Sequence, residues 1–185
     1  MRVFIAIELP REIRKALSGL QRELKPLTNT ARWVAPDSIH ITLKFIGEVG
    51  ESRIDDIDRA IVSVSWKPFM VAVRNVGFFP GSRSPRIFWA GMEAPMMTQL
   101  AEALDTRLHR IGFEKEERAF RPHITLARAR QSRIDGALVS ASAKYQTHDF
   151  GSFTADRFFL IQSTLRPDGA VYTKLREYSL EQRSG

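Results

Sequence analysis

His40-Ile41-Thr42-Leu43 recurs letter for letter as His123-Ile124-Thr125-Leu126, 83 residues further along the chain. The four histidines form six pairs, and agreement at three following positions arises by chance about once in a thousand such chains. The same offset lays Phe4-Ile5-Ala6-Ile7 on Ile87-Phe88-Trp89-Ala90 and Leu17 on Leu100. A strand, a helix and a histidine-bearing strand therefore coincide in register, which predicts two similar lobes related by a pseudo-two-fold axis.

Outward from the tetrads, hydrophobic spacing alternates between the two periods. Val3 to Ile7 is β-rich and bounded by Pro10; Ile13, Leu17, Leu20 and Leu24 then keep helical spacing until Pro26. Ile39 to Ile46 alternates in the strand sense, which predicts Ile39, Ile41, Leu43 and Phe45 on one face and His40, Thr42 and Lys44 on the other. Helical stripes follow at Ile54, Ile57, Ile61 and Val64, and at Met97, Leu100, Leu104, Leu108 and Ile111. Strands are expected at Phe69 to Val73, Ile87 to Ala90, Phe120 to Arg128, Phe150 to Ser163 and Val171 to Leu180. Gly77-Phe78-Phe79-Pro80-Gly81-Ser82 reads as a loop, and 131–144 fits no single period. The whole chain, 1–185, is expected to form a single bilobal α+β domain.

Composition narrows the chemistry. The 185 residues carry 28 Lys and Arg against 21 Asp and Glu, a formal charge of +7, with 21 Arg to 7 Lys. An anionic partner is favoured, and the planar guanidinium suits phosphate, which it grips with two parallel hydrogen bonds. Cysteine is absent, which excludes disulfides, thiolate nucleophiles and Cys-ligated zinc. The apolar run Val3 to Ile7 is too short for a signal-peptide core or a spanning helix, so a cytoplasmic protein without membrane attachment is expected. No His-x-His or His-Glu-x-x-His spacing occurs, and His109 and His148 read as surface residues, so neither a metal nor another cofactor is expected.

On a strand, residues i and i+2 share a face, so each His-x-Thr sets an imidazole beside a hydroxyl while Ile and Leu anchor the opposite side. Two such faces meeting across a cleft supply what displacement at phosphorus requires. One imidazole, neutral, takes a proton from the attacking oxygen; the other, protonated, gives one to the leaving oxygen. Two hydroxyls hold the non-bridging oxygens. Two buried, structurally satisfied histidines would be the ordinary reading of either strand alone; the repeat argues against it.

With these motifs the chain resembles the two-histidine phosphoesterase superfamily and, within it, the RNA 2′,3′-cyclic phosphodiesterases, also called 2′-5′ RNA ligases. The likeness runs through Arg2 to Pro10, Trp33-Val34, His40 to Gly47, Gly77 to Pro80, Pro85 to Gly91 and Arg121 to Arg128, then Ser163, Leu165, Gly169 and Tyr172. It implies a bilobal α+β fold with antiparallel sheets around a central cleft and helices outside. It also implies a metal-independent enzyme that opens a 2′,3′-cyclic phosphate to a 2′-phosphate. By this resemblance His40 gives a proton to the departing 3′ oxygen, His123 activates water, and Thr42, Thr125 and Arg128 bind the substrate phosphate. Strand parity, however, sets Arg128 with Ile124 and Leu126, away from His123, unless a bulge intervenes.

The implied partners are RNA 3′ ends bearing cyclic phosphate, tRNA fragments among them, acted on by a monomer. The same groups also fit 2′-5′ ligation as the reverse reaction, a small cyclic nucleotide as substrate, or a non-catalytic RNA-binding module. Lys44, Arg83, Arg86, Arg118, Arg121 and Arg130 flank the motifs as a potential phosphate track, with Phe79 or Phe120 as a stacking face. Arg32 carries no signal of its own.

Overall fold

Seven residues of the first strand, Arg2–Glu8 (β1), put Val3, Ile5 and Ile7 into the main core and Phe4 and Ala6 into a smaller apolar cluster on the other side of the sheet. Both faces of β1 are thus covered, unlike the alternation of an edge strand. The computed structural model describes residues 1–166 and 169–180; positions 167–168 and 181–185 of the expected 1–185 domain lie outside the described residues. The remaining elements in chain order are Arg11–Leu24 (α1), Ala31–Trp33 (β2), His40–Glu48 (β3), Ile54–Val62 (α2), Phe69–Phe79 (β4) and Ile87–Glu93 (β5). They continue with Pro95–Arg110 (α3), His123–Ala129 (β6), Gly136–Ser142 (α4), Asp149–Ala155 (β7), Arg157–Arg166 (β8) and Gly169–Ser179 (β9).

The strands form one antiparallel sheet in the order β7-β4-β5-β6-β3-β1-β8-β9, with β2 also pairing on β6. β3 and β6 meet at the centre through the pair Ile41↔Ile124, and β2 extends this junction of the two halves with three pairs on β6. Ile41 and Ile124 are 83 positions apart, so the pseudo-two-fold axis passes between them. On either side the ladders repeat. Ile5↔Lys44, Ala6↔Thr42, Ile7↔Ile41 and Glu8↔His40 in one half match Phe88↔Ala127, Trp89↔Thr125, Ala90↔Ile124 and Gly91↔His123 in the other.

The register also slips at the same place in each half, between Ile5 and Ala6 and between Phe88 and Trp89. Leu43 and Leu126 are the residues passed over. Each is the extra residue of a β-bulge, and an extra residue reverses the facing of everything that follows. Hence Leu43-Lys44 and Leu126-Ala127 are both buried pairs, while Phe45 and Arg128, their equivalent successors, are exposed. This corrects the alternation expected for β3: Phe45 turns away from the core and the Lys44 side chain turns into it.

The helices change sides. α1 follows β1 yet lies against β7 and α4 of the other half, where Glu23 is held by Lys144 at 2.5 Å and by the Tyr145 hydroxyl. α3 follows β5 yet packs against β3 and α2. Each crossing helix buries one polar side chain against the partner half's histidine strand. Gln21 Nε2 of α1 donates to the carbonyls of Val34 and Leu126 (2.8 and 3.0 Å), the latter being the bulge carbonyl of β6. Asp105 of α3 pairs with Lys44 Nζ at 2.6 Å beside the bulge of β3, and Lys44 also donates to the Glu114 carbonyl (2.9 Å). Lys44 is therefore not part of any phosphate track; its charge is consumed inside.

Other boundaries move modestly. β4 runs on through Phe79 where a loop is expected, because Gly77 leaves room for the Trp89 ring to lie across the strand: a Cβ there would stand 2.3 Å from it. The strand expected from Phe120 begins only at His123, the 150–163 stretch divides into β7 and β8, and part of 131–144 forms α4. Asp135 caps α4 by accepting from the Leu138 N–H at 3.2 Å.

Candidate active site

His40 opens β3 and His123 opens β6. Extending the antiparallel register one residue either way from Ile41↔Ile124 sets His40 beside Thr125 and His123 beside Thr42. All four are half-buried on the face opposite the main core, so the two His-x-Thr pairs converge on one cleft, as the repeat predicts.

The imidazoles are anchored alike. His40 Nδ1 lies 2.8 Å from the Ser38 carbonyl and His123 Nδ1 lies 2.7 Å from the Arg121 carbonyl, each two residues upstream. A carbonyl only accepts, so Nδ1 carries the hydrogen in both rings and Nε2 is the nitrogen left to accept or donate a proton. Aromatic rings fix the ring planes. His40 stacks on Phe4 (centroids 4.9 Å, 30°) and meets the edge of Tyr172 at 5.2 Å. His123 meets Phe79 at 5.0 Å, and Phe79 leans on Trp89 at 5.2 Å.

Burial is the chief reason that both imidazoles hold protons less readily than an ordinary histidine, and the Arg128 guanidinium adds to this by repelling a second positive charge. The carbonyl accepting from each Nδ1 opposes the shift. The two rings differ in one respect. Glu8 stands opposite His40 and favours its protonated form, whereas the corresponding position opposite His123 is Gly91. Burial also raises the Tyr172 phenol, with Arg128 and Arg2 opposing it.

Arg128 acts on His40, His123 and Tyr172 together, and it is exposed where Ile124, Leu126 and Ala127 are buried. The bulge at Leu126 turns it to the cleft. Its cross-strand neighbours are Ile87 on β5 and Arg32 on β2. Arg32 shares the face of Arg128, since Ala31 and Trp33 on either side of it pack into the core. No local pattern marks Arg32, because β2 has three residues and only its pairing with β6 sets Arg32 beside Arg128. The equivalent of Arg128 in the other half is Phe45, 53% exposed with its ring 5.7 Å from that of Phe4. One rim of the cleft is therefore cationic and the other aromatic.

Phe79 touches a site histidine, whereas Phe120 packs against the core. His109 and His148 are exposed and take no part. Among the described residues no cluster of three or more His, Cys, Asp or Glu side chains is placed to hold a metal ion, and no helix is long and apolar enough to cross a membrane.

The geometry has relatives. The RNA 2′,3′-cyclic phosphodiesterase of Archaeoglobus fulgidus is 33% identical over 179 residues, covering 96% of this chain and 99% of its own. That of Methanocaldococcus jannaschii is 32% identical over 178 residues, covering 96% and 100%. A crystal structure from Thermus thermophilus superposes with a TM-score of 0.83 at 31% identity, covering 97% of this chain and 98% of that one. Escherichia coli LigT complexed with 3′-AMP superposes at 0.80 with 29% identity, covering 98% of each chain. The LigT-like phosphoesterase model matches twice, over 7–89 and 92–172, one match for each His-x-Thr strand. The chain belongs to the LigT-like phosphoesterase family.

Proposed function

We propose that the protein hydrolyses the terminal 2′,3′-cyclic phosphate of RNA to a 2′-phosphomonoester, with His40 as general acid and His123 as general base. The observation that carries this reading is the matched anchoring of two imidazoles, each held through Nδ1 by a carbonyl two residues upstream, which leaves Nε2 without a hydrogen-bond partner among the described residues. The relatives named RNA 2′,3′-cyclic phosphodiesterase supply the substrate class.

In the proposed step a water oxygen attacks phosphorus in line with the 3′ oxygen. The water–phosphorus bond forms as the phosphorus–O3′ bond breaks. The water proton passes to Nε2 of His123, and Nε2–H of His40 protonates O3′ as it leaves. His123 ends protonated and His40 neutral, and exchange with solvent restores both. Thr42, Thr125 and Arg128 hold the non-bridging oxygens, the Arg128 charge offsetting what develops on the phosphoryl group. Glu8 supports this division of labour, because it stands opposite His40 and favours the protonated form of that ring, while Gly91 stands opposite His123. No step of this route calls on a metal ion.

The test is a short RNA with a 2′,3′-cyclic phosphate, incubated with the protein in chelator and followed by phosphorus NMR. A 2′-phosphate is expected, with His40→Ala and His123→Ala each about two to four powers of ten slower. Near-native turnover in His123→Ala, or a 3′-phosphate product, would overturn the assignment.

A further inference from the structure

Arg32 and Arg128 stand directly opposite each other on the cleft face. Like charges so placed destabilise a sheet unless an anion lies between them. Arg130, roughly 7 Å further along the same strand direction, borders a cavity of about 780 Å³ whose wall also carries Arg83 and Arg133. All three are exposed, and the arginine–carboxylate pairs among the described residues involve Arg14, Arg53, Arg59, Arg74, Arg157 and Arg176 instead. The one acid on the wall, Asp135, is already engaged, accepting from the Thr28 hydroxyl at 2.7 Å and from the Leu138 N–H at 3.2 Å.

None of His40, Thr42, His123 and Thr125 lines this cavity, yet backbone hydrogen bonds tie it to them. The Arg86 N–H donates to the Phe79 carbonyl (2.8 Å), Ala129 N–H to Arg86 (2.7 Å) and Ile134 N–H to Pro85 (2.7 Å). Phe79 in turn abuts His123. The arginine wall is thereby held in register with the cleft.

We propose that this cavity is a second phosphate subsite, which receives the backbone phosphates of a single-stranded RNA 5′ to its terminal nucleotide. The inference rests on the cyclic-phosphate reading of the histidine cleft and adds the route of the chain. A 2′,3′-cyclic phosphate closes the 3′ end, so every other phosphate leaves on one side and a single exit suffices. The exit runs past Arg32 and Arg128 to Arg130. Three guanidinium groups with Asn29, Ser82 and Ser132 on the wall offer hydrogen-bond donors suited to phosphate oxygens. No aromatic ring lines the cavity, so bases are not stacked there and the gain is independent of sequence.

The experiment compares kcat/KM on a 2′,3′-cyclic mononucleotide with that on oligoribonucleotides of increasing length bearing the same end. It uses the wild type and the triple variant Arg83→Gln, Arg130→Gln, Arg133→Gln. A parallel titration follows binding of a fluorescent oligoribonucleotide with a 2′-phosphate end over a range of salt. The wild type is expected to gain tenfold or more with length. The variant loses that gain, keeps its mononucleotide turnover, and shows a shallower salt dependence by about 0.7 for each phosphate it no longer neutralises. Equal turnover of long and short substrates by the wild type, with cleavage intact, overturns the subsite and spares the catalytic reading. Absence of turnover on every cyclic phosphate overturns the catalytic reading instead. The titration then judges the cavity alone: a weaker, less salt-sensitive variant supports it and an unchanged one overturns it.

Discussion

Ile41 pairs with Ile124 at the centre of the sheet, and no other residue pair joins β3 to β6 in register. Because the two are equivalent positions of the repeat, the His-x-Thr pair that one half places on the cleft face meets that of the other half, rotated. Such an arrangement lets two imidazoles approach a bound phosphorus from opposite sides, as the proposed in-line displacement requires. In the proposed mechanism the repeat is the means by which one short strand motif supplies both an acid and a base.

The arginine at the rim is expected to govern both proton transfers. Arg128 lowers the proton affinity of His40 and of His123, so Arg128→Gln raises both. In the pH profile of kcat/KM for cyclic-phosphate hydrolysis, the acid and alkaline limbs both move to higher pH. Rate at the optimum falls by about two to three powers of ten because a charged group no longer holds the phosphate. A lower rate with both limbs unmoved would assign Arg128 to substrate binding without an electrostatic hold on the histidines.

The bulge of β3 is expected to depend on its buried ion pair. Lys44 and Asp105 side chains are only 7% and 10% exposed at a separation of 2.6 Å. Asp105→Ala leaves the ammonium uncompensated and costs about 3–5 kcal/mol, whereas Lys44→Met with Asp105→Leu is expected to lie close to wild type in stability. Denaturant unfolding of the three proteins measures this. Equal stability for Asp105→Ala and the double variant would show that the charge of Lys44 finds water on its own.

Gly77 is expected to matter through a ring it does not touch in sequence. A Cβ at Gly77 would stand 2.3 Å from Trp89, whose ring supports Phe79, which abuts His123. Gly77→Ala must tilt the indole, at about 1–3 kcal/mol for overpacking, and loosens the setting of His123. Lower thermal stability together with lower kcat is the expected result; lower stability with unchanged kcat would separate Trp89 from the histidine.

These contacts mark the boundary of what the sequence makes legible. The histidines, the threonines and the register of β1 to β5 follow from the repeat, because residues 83 apart occupy equivalent environments. The bulges do not. Strict alternation puts Phe45 with the core and Lys44 in the cleft, and only pairing with β1 shows the extra residue at Leu43 that reverses them. Arg128 needs the same reversal. The exchange of α1 and α3 between halves, with Gln21 and Asp105 each reaching the other half's histidine strand, depends on packing across the whole chain, and no local pattern encodes it.

The assignment of acid and base is open to a direct test through Glu8. This carboxylate faces His40 across β1 and β3, is bound by Lys174 at 2.8 Å, and has only Gly91 as its counterpart before His123. Glu8→Gln removes a group that favours protonated His40, and it frees the Lys174 charge, which acts in the same direction. Proton affinity therefore falls at His40 and stays at His123. A general acid must be protonated to work, so its titration forms the alkaline limb of kcat/KM, while the base forms the acid limb. The apparent values belong to the pair, yet a perturbation at one member still moves one limb more than the other. The alkaline limb is expected to shift to lower pH with the acid limb in place. Movement of the acid limb instead would exchange the roles, making His40 the base that activates water and His123 the donor to the departing oxygen.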